Sequence, residues 1–538
     1  MTRTRTAATG IAGAAGLIAV TTLVARAAGF ARTLVFADSV RTGGVGAVYN
    51  SVNALPNVLY EIAAGGILAA VAVPVIAGHL GRDDPDRAHR SASALLTWCL
   101  AILVPLALLL VVAAPVLTGW IVDPRIVGGS DAGILMLRVF AVQIPLYGVG
   151  VVLVGLLQAH RRFFAPALAP LLSSLVVITT YLTYGALAAG ATDPTAVNRS
   201  ALQLLAWGTT AGVAALSLPL LVPAWRAGWR WTPTFRFAEG DARRSASLAV
   251  AGLLALLAQQ GAVVVTLRVS NFDGGDGAVS VYNYVQAVYL LPYAVLAVPV
   301  ATAAFPTLAR GGDRSSAATL ARSLRAVLVL SGLGVAVLVA SAGSVQAFFA
   351  ALDARRGAGH TSAEALGALG AALTAYAPGL VGFGAAALLT RAVYVRGRPR
   401  VAGLAMAGGW VLAAAVPLVT LRSDSGPSRT LVTLGVGSSV GMTAAAVALA
   451  LLVHRAWGSG ALAGAPRSLV AVAVAVVAGW GLAVLLTPNA GAGALHALLT
   501  GVLAGAVAAV GYLVVVIVGD PDASRLVRAR VLRRGGGS

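Results

Sequence analysis

Residues Ala92 to Ile121 read ASALLTWCLAILVPLALLLVVAAPVLTGWI, a run without one charged side chain. About 20 apolar residues suffice to cross the ~30 Å hydrocarbon core as a helix, and a helix satisfies its own backbone polar groups where no water can. Runs of the same kind recur along the whole chain. The first six cover 11–36, 44–78, 92–121, 132–158, 166–190 and 200–224. The next six cover 245–270, 276–308, 319–350, 366–394, 401–421 and 429–454, and a final pair covers 468–487 and 493–518. They predict an all-α polytopic membrane protein of about fourteen transmembrane helices. Composition points the same way. Of 538 residues, 59% are hydrophobic and 10% charged, with mean hydropathy +0.88. A soluble domain carries roughly 25% charged residues, so lipid must be the outer solvent here.

The formal net charge is +20, and all 38 basic residues are arginine. In a soluble chain that excess would suggest nucleic acid. Here the arginines fall in short segments between apolar runs, which is an orientation signal instead, and no nucleic-acid partner is expected. With the N-terminus inside, about 27 arginines lie on the cytoplasmic side and about 7 outside, as the positive-inside rule requires. Both termini are then cytoplasmic, and a bacterial plasma membrane is the expected location. Cys99 is the only cysteine, and His79, His89, His160, His360, His454 and His496 show no ligand spacing. No disulfide framework, metal site or cofactor is expected. The first apolar run carries Arg26 and Arg32 and no obvious cleavage site, so it reads as a retained helix.

An internal repeat is visible. Gly46-Ala-Val-Tyr-Asn50 leads through Pro56 to Ala72-Val-Pro74, and Gly277-Ala-Val-Ser-Val-Tyr-Asn283 leads through Pro292 to Ala297-Val-Pro299. Pro56 and Pro292 lie 236 positions apart, as do Arg32 and Arg268. Two six-helix repeats in one orientation are implied, and repeats of that kind typically enclose a central cavity. The expected organisation is an N-terminal half over 1–225, a basic cytoplasmic linker over 226–244, and a C-terminal half over 245–455. An extra helix pair over 456–520 and a basic tail over 521–538 complete it.

Ionisable residues inside a membrane cost a few kcal/mol each at a helix centre and usually face a cavity. Five stand out: Arg26, Arg32, Arg138, Arg268 and Glu61. Arg26 and Arg32 are about 120° apart on one helix, able to border one cavity. Glu61 follows Asn53-Ala-Leu-Pro-Asn57, where a proline interrupts the second helix, and its carboxylate could pair with one of those arginines. The candidate binding set is Arg26, Arg32, Glu61, Arg268, Asn53, Asn57 and Gln286. Arginine's planar fork suits phosphate oxygens and keeps its charge when buried, so the set reads as a cationic site for an anionic headgroup. The competing structural account has these arginines snorkelling to an interface or forming ion pairs with Glu61. With one buried acid and no nucleophile or nucleotide motif, acid/base catalysis is poorly supplied, and no enzymatic activity is expected.

Particular strings resemble the MurJ (MviN) family. Ala25-Arg26-Ala-Ala-Gly-Phe-Ala-Arg32 resembles its first-helix arginine motif. Leu55-Pro-Asn57, Gly65-Gly66 and Val73-Pro74 are similar to its second helix. Leu157-Gln-Ala-His-Arg-Arg-Phe-Phe-Ala-Pro-Ala-Leu-Ala-Pro170 is similar to its loop between helices four and five, and Leu291-Pro-Tyr293 through Phe305-Pro306 and Tyr394 to Pro399 to matching parts of the second half. The resemblance implies the MOP exporter fold and movement of lipid II, the undecaprenyl-pyrophosphate-linked peptidoglycan precursor, to the outer leaflet. It implies contact of Arg26 and Arg32 with the pyrophosphate, an apolar groove at the last two helices for the polyprenyl tail, and alternating access coupled to the membrane potential. Membrane lipids and cell-wall synthesis proteins are the further partners it suggests. The chain departs from the family pattern at Ala47, Glu61 and Ala287, where the family carries an acid, an arginine and an arginine. Other readings are a drug/cation antiporter or oligosaccharide-lipid flippase of the same fold, or a non-transporting cell-wall scaffold. An antiporter calls for acidic cavity residues, whereas this chain supplies mainly arginines.

Overall fold

A computed structural model describes residues 2–62, 76–80, 84–236, 241–310, 313–355, 362–422, 425–486 and 493–519. Gly65-Gly66, Pro74 and the basic tail from 521 lie outside the described residues. The described chain is helical, with no strand among the described residues. Thirteen of its helices are long and apolar enough to cross a membrane. The sequence run over 44–78 includes positions 63–75, which lie outside the described residues, and it is not among the thirteen.

The chain falls into two compact units, residues 1–256 with 353–359, and residues 257–352 with 360–538. In the first unit, α1 (Thr2–Ser39) turns into α2 (Val45–Tyr60), and α3 (Pro85–Ile121) is followed by a broken span, α4 (Gly129–Phe140) and α5 (Gln143–Ala159). Then come α6 (Phe164–Ala188) and α7 (Arg199–Ser217). α1 packs along α6, α6 along α7, and α3 against α4 and α5. The second unit repeats the order. It runs through α8 (Asp241–Phe272, whose start lies in the first unit), α9 (Ala278–Pro292), α10 (Val298–Arg310) and α11 (Asp313–Ala354). It continues with α12 (Leu369–Tyr376), α13 (Gly379–Val395), α14 (Pro399–Thr420) and α15 (Gly426–Trp457). The extra pair, α16 (Ala465–Leu486) and α17 (Ala494–Gly519), packs on α11, where Tyr512 donates to the Val329 carbonyl at 2.7 Å. Small residues make these packings possible: the backbones of α14 and α15 meet at Gly409 and Gly441.

The 236-residue offset holds well beyond the two pairs seen in the sequence. Left-handed backbone recurs at Arg41 (φ 76) and Gly277 (φ 84), at Arg161 (φ 59) and Gly397 (φ 69), and at Gly228 (φ 87) and Gly464 (φ 79). In each unit, wide π-type turns follow the repeat proline, over 61–62 after Pro56 and over Tyr293–Ala297 after Pro292. Such a turn carries i→i+5 bonding and locally widens the helix.

Two helices outrun their apolar runs. α3 begins at Pro85, not 92, because Asp84 caps it by accepting from Arg87 N and Pro85 sits at its first position. α11 spans 42 residues, with polar turns at both ends of the apolar stretch. The linker after α7 is not free either. Trp229 is fully buried, Thr234 N donates to Thr97 Oγ1 at 3.2 Å, and Trp98 Nε1 donates to the Phe235 carbonyl at 3.0 Å, so residues 229–235 lie along α3.

Within the first unit, the α1–α2 turn is tied to Asp353 at the end of α11. Arg41 Nη2 lies 3.6 Å from Asp353 Oδ2 with both side chains buried, and Thr42 N donates to Asp353 Oδ1 at 2.9 Å. Removing one partner of a buried pair strands the other charge. Asp353→Ala is therefore expected to lower unfolding free energy by about 3 kcal/mol or more in detergent. Asp353→Asn, which retains an acceptor for Thr42 N, should lose less.

Candidate functional site

The candidate residues of the first unit come from two elements. α1 carries Arg26 and Arg32, and α2 with its following turn carries Asn53, Asn57 and Glu61. Arg26 is exposed and Arg32 half-buried. Neither makes an ion pair or a side-chain hydrogen bond with any described residue. Glu61 is exposed and likewise unpaired among the described residues, so the ion pair weighed for it is not formed. What the arrangement offers is two guanidiniums whose donors are uncommitted among the described residues.

Tyr147 of α5 packs against α2. Its hydroxyl donates to Asn57 Oδ1 at 2.9 Å, and its ring lies 4.5 Å from that of Tyr60. Arg32 and Glu61 both act electrostatically on the Tyr147 hydroxyl. Asn57 Nδ2 in turn donates to the Asn53 carbonyl at 3.0 Å, so Asn57 is held on both sides. The Asn53 side-chain oxygen is buried without a hydrogen-bond partner. Sequence reasoning missed Tyr147 because it lies 90 residues from Asn57, in no local motif. Its repeat mate Phe383 stacks on Tyr293 at 4.3 Å, the mate of Asn57, which is the one signal that could have found it. Tyr49 lies beside this group, and Arg32 acts electrostatically on its hydroxyl as well. It is buried and bonded to Tyr181 (2.8 Å) and Thr209 (3.1 Å), a packing role.

Arg26 borders a cavity of about 480 Å³ between α1, α5 and α6, with Thr22, Gln158, Phe163 and Pro166. Gln158 to Pro166 belongs to the string Leu157–Pro170, and the chain there is fixed by Arg162, which donates to the carbonyls of Pro223 (3.1 Å) and Arg226 (3.2 Å). A second cavity of about 380 Å³ adjoins the first through Val154, Gln158, Pro166 and Pro170, and reaches Tyr60, Tyr147 and Leu220. A cation at the mouth and apolar walls behind suit an anionic amphiphile.

Arg268 and Gln286 lie in the second unit. Arg268 is half-buried, with its guanidinium carbon 3.1 Å from the Phe272 ring centroid, a cation–π contact. Gln286 shares a side-chain hydrogen bond with Tyr376, whose ring lies 6.4 Å from Tyr282 and 5.6 Å from Tyr289. Arg138 is exposed near the end of α4. No group of three or more metal-ligating side chains occurs among the described residues.

Tyr147→Phe leaves the Asn57 oxygen without its donor and should cost about 1–2 kcal/mol in unfolding free energy. Tyr60→Phe, where only the ring is engaged, should stay within about 0.5 kcal/mol. Denaturant unfolding of the purified variants compares the two.

Comparison with known proteins gives a consistent picture. The family model described as lipid II flippase MurJ matches residues 36–504. A probable lipid II flippase MurJ from Rhizobium tropici is 26% identical over 333 residues, 58% of this chain and 58% of that protein. One from Rhizobium meliloti (strain 1021) is 26% identical over 373 residues, 67% of this chain and 66% of that protein. The aligned stretches span less than two thirds of these relatives. Among solved structures, a lipid II flippase MurJ in an inward closed conformation matches with TM-score 0.71 at 15% identity, covering 91% of this chain and 97% of that one. An inward-facing multidrug resistance MATE transporter of the MOP superfamily matches with TM-score 0.62 at 16% identity, covering 80% and 94%. At such identities these structures speak to the fold.

Proposed function

The chain belongs to the lipid II flippase MurJ family, and from that premise we propose that it moves lipid II from the inner to the outer leaflet of a bacterial plasma membrane. The observation that carries the reading is the pair of uncommitted guanidiniums on α1, with Arg26 at the mouth of a cavity. A transmembrane cation on an isolated helix costs about 2.5–3.5 kcal/mol on insertion scales, and a chain gains nothing from two unless something anionic meets them. The pyrophosphate of a polyprenyl-linked precursor is such a group, and arginine binds it through two parallel N–H donors.

In this mechanism no covalent bond changes, and the chain is a transporter rather than a catalyst. The headgroup leaves the inner interface and exchanges its hydration for Arg26 and Arg32, while the tail remains in lipid. Alternating access requires two conformations of similar free energy, biased by cargo or potential. Each arginine charge crossing the field is worth about 2.3 kcal/mol per 100 mV, so the same residues are handles for the membrane potential. The π-type turns after Pro56 and Pro292 are the natural places for helix bending, since their backbone bonding is already altered. Within the first unit Asn53, Asn57 and Glu61 are the polar groups beside the two arginines, and Arg268 and Gln286 are the corresponding candidates of the second unit. Both termini are cytoplasmic in this reading, with the arginine-rich segments inside. Cell-wall synthesis proteins are the further partners it calls for.

Complementation tests it, in cells depleted of their own lipid II flippase. Wild type should restore growth. Arg26→Ala and Arg32→Ala, at matched membrane levels, should reduce rescue by at least tenfold in plating efficiency. Failure of correctly inserted wild type removes lipid II as the cargo; full rescue by both variants removes the cationic site.

A further inference from the structure

The histidines show no ligand spacing in the sequence, yet the fold brings two of them together. His89 lies in the polar first turns of α3, and His160 directly follows the last residue of α5. Their ring centroids are 5.6 Å apart, and the ring planes differ by 22°. Both residues are half-buried and both belong to the first unit.

Their nitrogens are disposed as metal ligands rather than as a plain ring stack. His160 Nδ1 lies 2.9 Å from the Leu156 carbonyl. A carbonyl only accepts, so Nδ1 carries the proton and Nε2 of the neutral ring carries the lone pair. Histidines that ligate a metal are held in this way, one nitrogen anchored on a backbone carbonyl and the other left basic. His89 Nε2 is buried and has no hydrogen-bond partner among the described residues. An unpaired buried nitrogen is costly, and ring stacking leaves that cost in place. Asp86, one turn before His89 on the same helix, acts electrostatically on it, so a negative charge stands near the pair. Of the neighbouring arginines, Arg87 pairs with Asp84 at 3.1 Å and Arg162 donates to the Pro223 and Arg226 carbonyls, while Arg90 and Arg161 are exposed.

At the 236-residue offset His89 corresponds to Arg325 and His160 to Arg396. The local setting recurs: His89 sits against left-handed Gly228, and Arg325 against its counterpart, left-handed Gly464. A guanidinium keeps its proton and ligates no metal, whereas an imidazole near neutral pH offers a lone pair. Two cations in the second unit thus stand where the first unit has two potential ligands.

We propose that His89 and His160 form a binding site for a divalent transition-metal ion of the Zn²⁺ class, coordinated through both Nε2 atoms with water completing the shell. A Zn–N bond of about 2 Å puts each ring centroid about 3.2 Å from the ion, so two imidazoles on a tetrahedral ion have centroids about 5.2 Å apart. The 5.6 Å of this pair is close to that separation. Imidazole suits Zn²⁺, Ni²⁺ and Cu²⁺, whereas Mg²⁺ and Ca²⁺ take oxygen ligands. An ion held there ties the first turns of α3 to the end of α5, beside the segment Gln158 to Pro166 that borders the Arg26 cavity. The site stands apart from the headgroup reading and does not depend on it.

The test uses the purified full-length chain without a histidine tag, with Zn²⁺ as calorimetric titrant and Co²⁺ as spectroscopic probe. Wild type should bind one Zn²⁺ per chain with micromolar affinity or tighter, and excess Mg²⁺ or Ca²⁺ should not displace it. Co²⁺ should give the visible bands of a nitrogen-ligated site. Zn²⁺ binding should weaken as pH falls, because protons compete for both Nε2 atoms. His89→Gln and His160→Gln should each lose at least tenfold in Zn²⁺ affinity, and His454→Gln should lose nothing. The double variant His89→Arg/His160→Arg installs the side chains of the second unit. It should keep a cooperative melt in metal-free buffer, and Zn²⁺ should raise the unfolding temperature of wild type but not of this variant. Absence of stoichiometric Zn²⁺ binding by wild type overturns the site. Wild-type affinity in either folded glutamine variant overturns it too, since the ion would then be held elsewhere.

Discussion

A guanidinium in hydrocarbon must find a counter-charge, reach water, or receive an anion. Arg26 and Arg32 are constrained by that requirement, and the surrounding structure is arranged so that no described protein group meets it. Glu61, the acid weighed as their partner, is exposed and forms no ion pair with either among the described residues. Tyr147, on which both Arg32 and Glu61 act, gives its hydroxyl to Asn57 instead. By contrast, where the first unit buries Arg41, it pairs the charge. Arg41 meets Asp353 and donates to the Gly190 carbonyl at 3.0 Å. Committed and uncommitted arginines thus stand side by side in a chain with so few charges.

The repeat gives that contrast a control within one molecule. Paired left-handed positions at Arg41/Gly277, Arg161/Gly397 and Gly228/Gly464 show a constant register from the first turn of each unit to its last. At two of these sites the first unit holds an arginine in backbone that ordinarily selects glycine. Each of those arginines is immediately beside a polar anchor: Arg41 at Asp353, and Arg161 next to Arg162, which grips the end of the sixth span.

The helical runs were legible because each is an unbroken apolar stretch, a signal that needs no neighbour to interpret. Arg26 and Arg32 were legible for the opposite reason, as charges where charge is costly. The repeat showed in Pro56 and Pro292, whose ring chemistry constrains the helix wherever it sits. Much else was not local. Tyr147 meets Asn57 only once α5 has packed near α2, and the apolar run through Gly150 and Gly155 reads simply as a helix. Neither cavity has a sequence signature, because a hollow is made by small residues that close packing also uses. The polar extensions of α3 and α11 escaped the apolar count, since capping by Asp84 and Pro85 carries a helix past the bilayer.

The most direct test of the central claim is translocation by the purified chain, with no cell to compensate. In proteoliposomes carrying fluorescent lipid II, the fraction exposed on the opposite leaflet is read by a membrane-impermeant quencher, with and without an imposed potential. Wild type is expected to equilibrate the lipid between leaflets, faster under the potential that drives cations outward, and the double variant Arg26→Gln/Arg32→Gln to do neither. Equal translocation by the double variant would contradict it, because the two uncommitted arginines would then be ornaments of the helix rather than the receptor for the headgroup.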